Sequence, residues 1–143
     1  MRHGRRVGVI IPALNEERAI GRVIADIPAW VDDIVVVDNG CTDATADVAV
    51  RAGARVVGEP QRGYGIACQT GIAALAGADI VVFLDGDYSD FPMEMSRLVD
   101  PIASGAAALV LGSRVTGRYP NSLKRSESSV GENKENPYDK QVP

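Results

Sequence analysis

Short apolar runs alternate along this chain with stretches whose apolar residues recur every three or four positions. Residues 7–11 (VGVII) are apolar throughout and rich in β-branched side chains, the mark of a strand buried on both faces. In the next segment Ala19, Ile20, Val23, Ile24 and Ile27 fall on one helical face, and Pro28 stops the pattern. Residues 34–37 (IVVV) make a second buried strand that ends on Asp38. A helix starting at Thr42 or Asp43 should turn Ala46, Ala49 and Val50 inward and stop at Gly53. Residues 55–57 read as a weaker third strand, residues 66–76 as an Ala-rich helix closed by Gly77, and residues 80–84 (IVVFL) as the clearest strand of all. Pro92 suits the first turn of a helix reaching about Ile102, and residues 108–111 give one more strand before Gly112-Ser113-Arg114.

This alternation with short connections predicts an α/β sandwich, a mostly parallel sheet with helices on both faces. In such sheets ligands bind beyond the carboxyl ends of the strands. Four polar segments fall there: residues 12–16, 38–43, 85–90, and Ser113 with Arg114. From residue 120 onward the chain is polar, dense in Lys, Glu, Ser and Asn, and without periodicity. The expected organisation is one domain over residues 1–119 and a disordered tail over 120–143.

Composition narrows the class. The 143 residues suffice for one domain with a real core, and 45% hydrophobic with 24% charged residues is a globular balance. A net charge of −4 and a pI near 4.9 give no general attraction for nucleic acid. The one basic cluster, Arg2, His3, Arg5 and Arg6, is expected to be a solvated tail ahead of the first strand. Two separated cysteines, Cys41 and Cys68, make neither a disulfide framework nor a zinc site and fit a reducing compartment. No apolar run approaches a membrane span, and residues 7–14 meet Asn15, Glu16 and Glu17 too soon for a signal peptide. The expected location is the cytoplasm or the cytoplasmic face of a membrane.

The chemistry centres on residues 83–90, FLDGDYSD, where Asp85, Asp87 and Asp90 crowd into six positions. Two carboxylates about 5 Å apart repel by roughly 3 kcal/mol at an effective dielectric near 20. A hard divalent cation, Mg²⁺ or Mn²⁺, turns that repulsion into attraction, and such ions are usually completed by waters and phosphate oxygens. A calcium loop counted from Asp85 would need Gly and Glu where the chain has Asp90 and Ser96. A Rossmann dehydrogenase needs a glycine fingerprint after the first strand, where this chain has PALNEE. A haloacid-dehalogenase-like phosphatase puts its aspartate pair after the first strand rather than the fourth, and remains an alternative. So does a plain turn, with Asp85 ending the strand.

Further segments accompany the aspartates in order: VIIPALNEE (9–17), IVVVDNGCTDAT (34–45), RGYGIACQTGI (62–72), DIVVFLDGDYSD (79–90) and LVLGSR (109–114). Over residues 6–118 the set resembles the donor half of a family 2 glycosyltransferase with the GT-A fold, in the manner of bacterial relatives of dolichyl-phosphate mannose or glucose synthases. The resemblance implies that Pro12, Leu14 and Glu16 hold the nucleoside, with Asn15 alternatively capping the next helix. Val37 and Asp38 then meet the nucleobase, Cys41 stands where serine is usual, and Arg62, Gly63 and Gly65 form a loop near the donor. Asp85, Gly86 and Asp87 match the D-x-D motif, with Asp87 as metal ligand and Asp85 beside the ribose or a metal-bound water. Ser89 matches a second metal-ligand position, and Arg114 a basic residue facing the donor phosphates. Asp90 is expected to start the helix ahead of Pro92.

The implied reaction moves a sugar, with inversion, from a nucleotide diphosphate sugar of the UDP-glucose or GDP-mannose type. A hydroxyl acceptor would need a general base, for which Asp90 and Glu94 are candidates. A polyprenyl phosphate at the membrane surface needs none and is the favoured acceptor. Because the family continues past the GSR strand, a catalytically silent nucleotide-sugar-binding fragment is the alternative. The oligomeric state is not legible in the sequence.

Overall fold

The computed structural model of the protein describes residues 1–113 and 127–130. A parallel sheet is built from β1 (Val7–Ala13), β2 (Asp33–Asp38), β3 (Arg55–Gly58) and β4 (Ile80–Phe83), in the spatial order β3-β2-β1-β4. Val9 pairs with Ile34 on one side and Val82 on the other, and Val36 pairs with Val56. Helices α1 (Ile20–Ala25), α2 (Thr45–Arg51) and α3 (Tyr64–Ala74) connect the strands, and α4 (Ser96–Ala103) follows β4.

Alternation along β1 supplies two cores. Val7, Val9, Ile11 and Ala13 pack with Ile20, Val23 and Ile24 of α1, Ala49 of α2 and Val99 of α4. On the other face Ile10, Val35 and Val37 meet Ala67 and Leu75 of the α3 region. Full burial of each Val or Ile contributes about 1.5–3 kcal/mol, so these runs dominate the stability. The expected sandwich with helices on both faces is therefore present. α3 lies close to the sheet because two side chains are missing there. A β-carbon on Gly71 would stand 2.4 Å from Ile10 Cγ2, and one on Gly8 2.7 Å from Leu75 Cδ1.

The strand order has a consequence for binding. From β1 the chain steps to β2 and β3, then returns to place β4 on the other side of β1. Order reverses between β1 and β4, which opens a crevice beyond their carboxyl ends.

Several elements differ from expectation. α2 begins at Thr45, because Asp43 is used to accept the Thr45 N–H at 3.0 Å. Thr45, Val48 and Ala49 face the core and Val50 is 59% exposed, contrary to its expected inward position. α3 starts earlier than expected and is capped at Leu75 rather than closed by Gly77. Pro92 opens a 3₁₀ turn, Pro92–Glu94, before α4. β5 (Val110–Ser113) does not extend the parallel sheet but pairs antiparallel with β6 (Glu127–Val130). β6 falls within the segment expected to be a tail; the rest of that segment, and Arg114, lie outside the described residues. Among the described residues no helix is long and apolar enough to cross a membrane.

The basic N-terminus is solvent-exposed at His3, Arg5 and Arg6, but it is anchored to the fold. Arg2 donates two hydrogen bonds to Asp100, at 2.6 and 2.8 Å, and its guanidinium lies 5.0 Å from the centre of the Trp30 ring. His3 Nε2 stands 3.1 Å from Asp100 Oδ1, and Arg2 pairs with Arg5 in a tight turn. The hydrogen bond from Arg2 holds the Asp100 carboxyl below the usual carboxylate range.

Candidate functional site

The loops after β1 and β2 are bonded to each other. Asn39 N–H donates to Ala13 O at 3.1 Å, Thr42 N–H to Asn15 Oδ1 at 2.8 Å, and Glu16 N–H to Thr45 Oγ1 at 2.8 Å. Asn15 takes a φ of 55°, a left-handed conformation that asparagine tolerates. Its amide therefore serves the neighbouring loop and does not cap α1, whose N-cap is Ala19 without a side-chain bond. Asp38 Oδ1 accepts the N–H groups of Gly40 at 3.1 Å and Cys41 at 2.8 Å, a local turn of the kind aspartate favours. Cys41 Sγ lies 3.4 Å from Ala13 O, and burial pushes its thiol up, away from the reactive thiolate.

β4 delivers the acidic loop to the same edge, with Leu84 N–H on Ile10 O at 3.0 Å. Gly86 is buried under α1: a β-carbon there would stand 3.3 Å from Glu16 Cγ and 3.4 Å from side-chain atoms of Ile11 and Ile20. The missing side chain lets Asp85 and Asp87 sit beside Glu16. The aspartates have different partners. Asp90 Oδ2 accepts the Asp85 N–H at 3.1 Å, so Asp90 braces the loop, and no side chain caps the turn at Pro92 as had been expected of it. Asp87 Oδ1 accepts the Ser89 N–H at 3.0 Å, and Ser89 Oγ stands 3.4 Å from Asp85 Oδ2. Glu16 is held above the usual carboxylate range by its burial and then by the charges of Asp87, Asp43 and Asp85. Tyr88 takes a φ of 63° and reaches α1, where its hydroxyl donates to Asp26 and Arg22 lies 4.5 Å from its ring centre.

The Arg62–Gly65 loop nominated from the sequence makes a third wall, but sequence reasoning missed the residue that holds it. Asn39, 7% exposed, donates from Nδ2 to Glu59 O at 3.0 Å and Gln61 O at 2.7 Å, and accepts the Gly63 N–H at 3.0 Å. One buried amide thus fixes the start of α3 against the end of β2. It places Arg62 Nε 3.3 Å from where a Gly40 β-carbon would be. It also sets Tyr64 where burial, Cys68 and the charges of Asp85 and Asp90 push its phenol up. In the sequence, Asn39-Gly40 carries only a turn signal.

The described residues nominated from the sequence come together at this edge, with unequal access. Pro12 and Asp38 are half-buried and Leu14 is 40% exposed, whereas Val37 is fully buried and offers the crevice only its backbone. Asp87 is exposed, and Asp85 and Ser89 are half-buried. β5 and its Gly112-Ser113 end belong to the separate two-stranded sheet. Oxygen donors from Asp85, Asp87 and Ser89 beside a raised Glu16 form a set that suits a hard cation. Among the described residues no three His, Cys, Asp or Glu side chains are grouped to hold an ion. The protein would contribute part of a shell, leaving positions for phosphate oxygens and water.

Comparison with known proteins agrees on one family. The family model described as glycosyl transferase family 2 matches residues 8–142. An uncharacterized glycosyltransferase of Mycobacterium bovis is 45% identical over 111 residues, covering 78% of this chain and 50% of the relative. The glucosyl-3-phosphoglycerate synthase of Mycolicibacterium smegmatis is 40% identical over 112 residues, covering 69% and 37%. Among solved structures, the Mycobacterium tuberculosis glucosyl-3-phosphoglycerate synthase in complex with Mn²⁺, UDP and glucosyl-3-phosphoglycerate matches with a TM-score of 0.64 and 38% identity, over 71% of this chain and 40% of that one. The same synthase with Mn²⁺, UDP-glucose and phosphoglyceric acid matches at 0.65 and 38%. This chain spans half or less of the length of these relatives.

Proposed function

The chain belongs to glycosyl transferase family 2 and shares the Rossmann-like GT-A sheet of its solved relatives; on that premise we propose that its carboxyl-edge crevice binds a nucleotide diphosphate sugar with a divalent cation and serves sugar transfer. One observation carries the proposal. The loops after β1, β2 and β4 meet where strand order reverses, and they bring Asp85, Gly86 and Asp87 beside Glu16.

UDP-glucose is the proposed donor and Mn²⁺ or Mg²⁺ the cation, in keeping with the UDP-glucose and Mn²⁺ held by the solved relative. Asp87 and Ser89 would hold the cation, with Asp85 beside them. When bound, the ion supplies charge neutralisation for the diphosphate as its bond to the sugar breaks. Pro12 and Leu14 form the apolar side of the nucleoside cleft. Asp38, already fixed by the Gly40 and Cys41 N–H groups, is placed to accept a nucleobase N–H. Asn39 holds the wall carrying Arg62 and Tyr64. Arg114 keeps its proposed role opposite the phosphates.

For the acceptor, the relatives point away from polyprenyl phosphate: the solved one carries phosphoglyceric acid. We take a small phosphorylated acid as the acceptor class. The free thiols of Cys41 and Cys68 suit the cytoplasm as its place of action.

Calorimetric titration with UDP-glucose tests this reading. Binding should require Mn²⁺ or Mg²⁺, exceed that of GDP-mannose and fall at least about 100-fold in Asp87→Ala. Release of UDP on adding 3-phosphoglycerate would establish transfer, and binding without release would mark a donor-binding piece. Absence of cation-dependent nucleotide binding would overturn the proposal.

A further inference from the structure

We infer that Tyr88 is a positioning residue, a latch that ties the acidic loop to α1 and so sets Asp87 and Ser89 for the cation; the part concerning the cation rests on the donor-site reading above. Tyr88 lies between those two residues with a φ of 63°. A left-handed backbone costs an L-residue about 1–2 kcal/mol, and for a bulky side chain it persists only where the surroundings over-determine it. Three contacts do so here. The ring packs against the core cluster that contains Ile20 and Val23. The Arg22 guanidinium lies 4.5 Å from the ring centre, within cation–π range. The hydroxyl donates to Asp26, 62 residues away in sequence.

Arg22 and Asp26 stand four positions apart and so share one face of the α1 turn, which makes a two-pronged seat for a single side chain. The backbone reversal at Tyr88 brings the Ser89 N–H to 3.0 Å from Asp87 Oδ1 and Ser89 Oγ to 3.4 Å from Asp85 Oδ2. Gly86, packed beneath Glu16 and Ile20, fixes the other side of the same loop. The oxygens nominated for the cation are thereby held between two attachments to α1, and neither Gly86 nor Tyr88 is itself a nominated ligand. Residues that orient ligands from behind typically change metal affinity 10- to 100-fold when removed.

The test changes the seat and leaves the loop intact. In the double variant Arg22→Met with Asp26→Asn, hydrogen exchange of the ligand-free chain should quicken about tenfold at the Asp85 and Ser89 amides and stay unchanged through β1. The Mn²⁺ concentration that half-saturates UDP-glucose binding should rise about tenfold, with metal-free uridine binding unaltered. Arg22→Lys, which keeps a cation over the ring, should recover most of both effects. Tyr88→Phe, which keeps ring and stacking, should quicken the same two amides about threefold, and it carries the test if the double variant loosens β1 as well. Parental exchange at both amides in the double variant and in Tyr88→Phe overturns the latch. Quickened exchange in a chain that binds no nucleotide with Mn²⁺ upholds the latch and overturns the donor-site reading instead.

Discussion

The two ends of the parallel sheet differ in the charges that surround their carboxylates. At the amino ends, each acid described meets a cation or a backbone N–H. Asp32 accepts the Val7 N–H at 2.8 Å and pairs with the α-amino group at 2.9 Å, Asp79 accepts the Arg6 N–H at 2.8 Å, and Arg55 reaches Asp33 at 2.6 Å. Arg2 and His3 gather on Asp100. Asp32 and Asp100 are accordingly held below the usual range. At the carboxyl ends Asp38, Asp43, Asp87 and Asp90 also accept backbone N–H groups, but Glu16 is held above the usual range, by its burial and then by the charges of Asp87, Asp43 and Asp85. Charge answered from within the chain stabilises the fold; charge of one sign gathered at a crevice is a feature for binding something from outside.

The largest effect should come from the platform that both ends share. Gly71→Ala forces a methyl into Ile10 and should cost about 1–3 kcal/mol in urea unfolding. Amides at both ends should lose protection together, and loosening at one end alone would break the comparison. A smaller effect is expected at the amino end. Because its folded pKa is depressed, Asp100 contributes stability above its unfolded pKa, and that contribution is lost as pH falls through the folded value. Asp100→Asn should therefore lower Tm near neutral pH, converge with the parent at strongly acid pH, and leave UDP-glucose binding unchanged. The smallest effect has the reverse sign. Glu16, raised in the fold, opposes stability increasingly as pH rises from its unfolded pKa through its folded one. Glu16→Gln should raise the Tm of the ligand-free chain at pH 7 by less than about 1 kcal/mol equivalent. A lowered Tm there would mean that the carboxylate is answered within the chain after all.

Legibility followed the range of the interactions. The strands at β1, β2 and β4 were plain because a strand buried on both faces needs an unbroken apolar run, and such a run is a local property. The acidic loop was plain for the same reason: Asp85 and Asp87 are neighbours in sequence as well as in space. The Arg2 seat was not, because Arg2 and Asp100 are 98 positions apart and a short basic segment looks the same whether or not it finds a partner. Asn39 reads as a turn residue until residues 59–63 arrive over it. Val50 was misplaced because the face that packs, Thr45, Val48 and Ala49, lies one residue earlier than expected, and one residue of shift turns a helix face by about 100°.

The sequence by itself determined an α/β sandwich, a parallel sheet, and the gathering of polar loops at the strands' carboxyl ends. These rest on hydrophobic period and on connection length, which a chain carries locally. Only the tertiary structure decided which carboxylates are answered, that Asn39 builds a wall, and that Tyr88 seats the acidic loop on α1. Those depend on groups 20 to 98 positions apart meeting within about 3 Å, and the field at a carboxylate is set by what packs beside it.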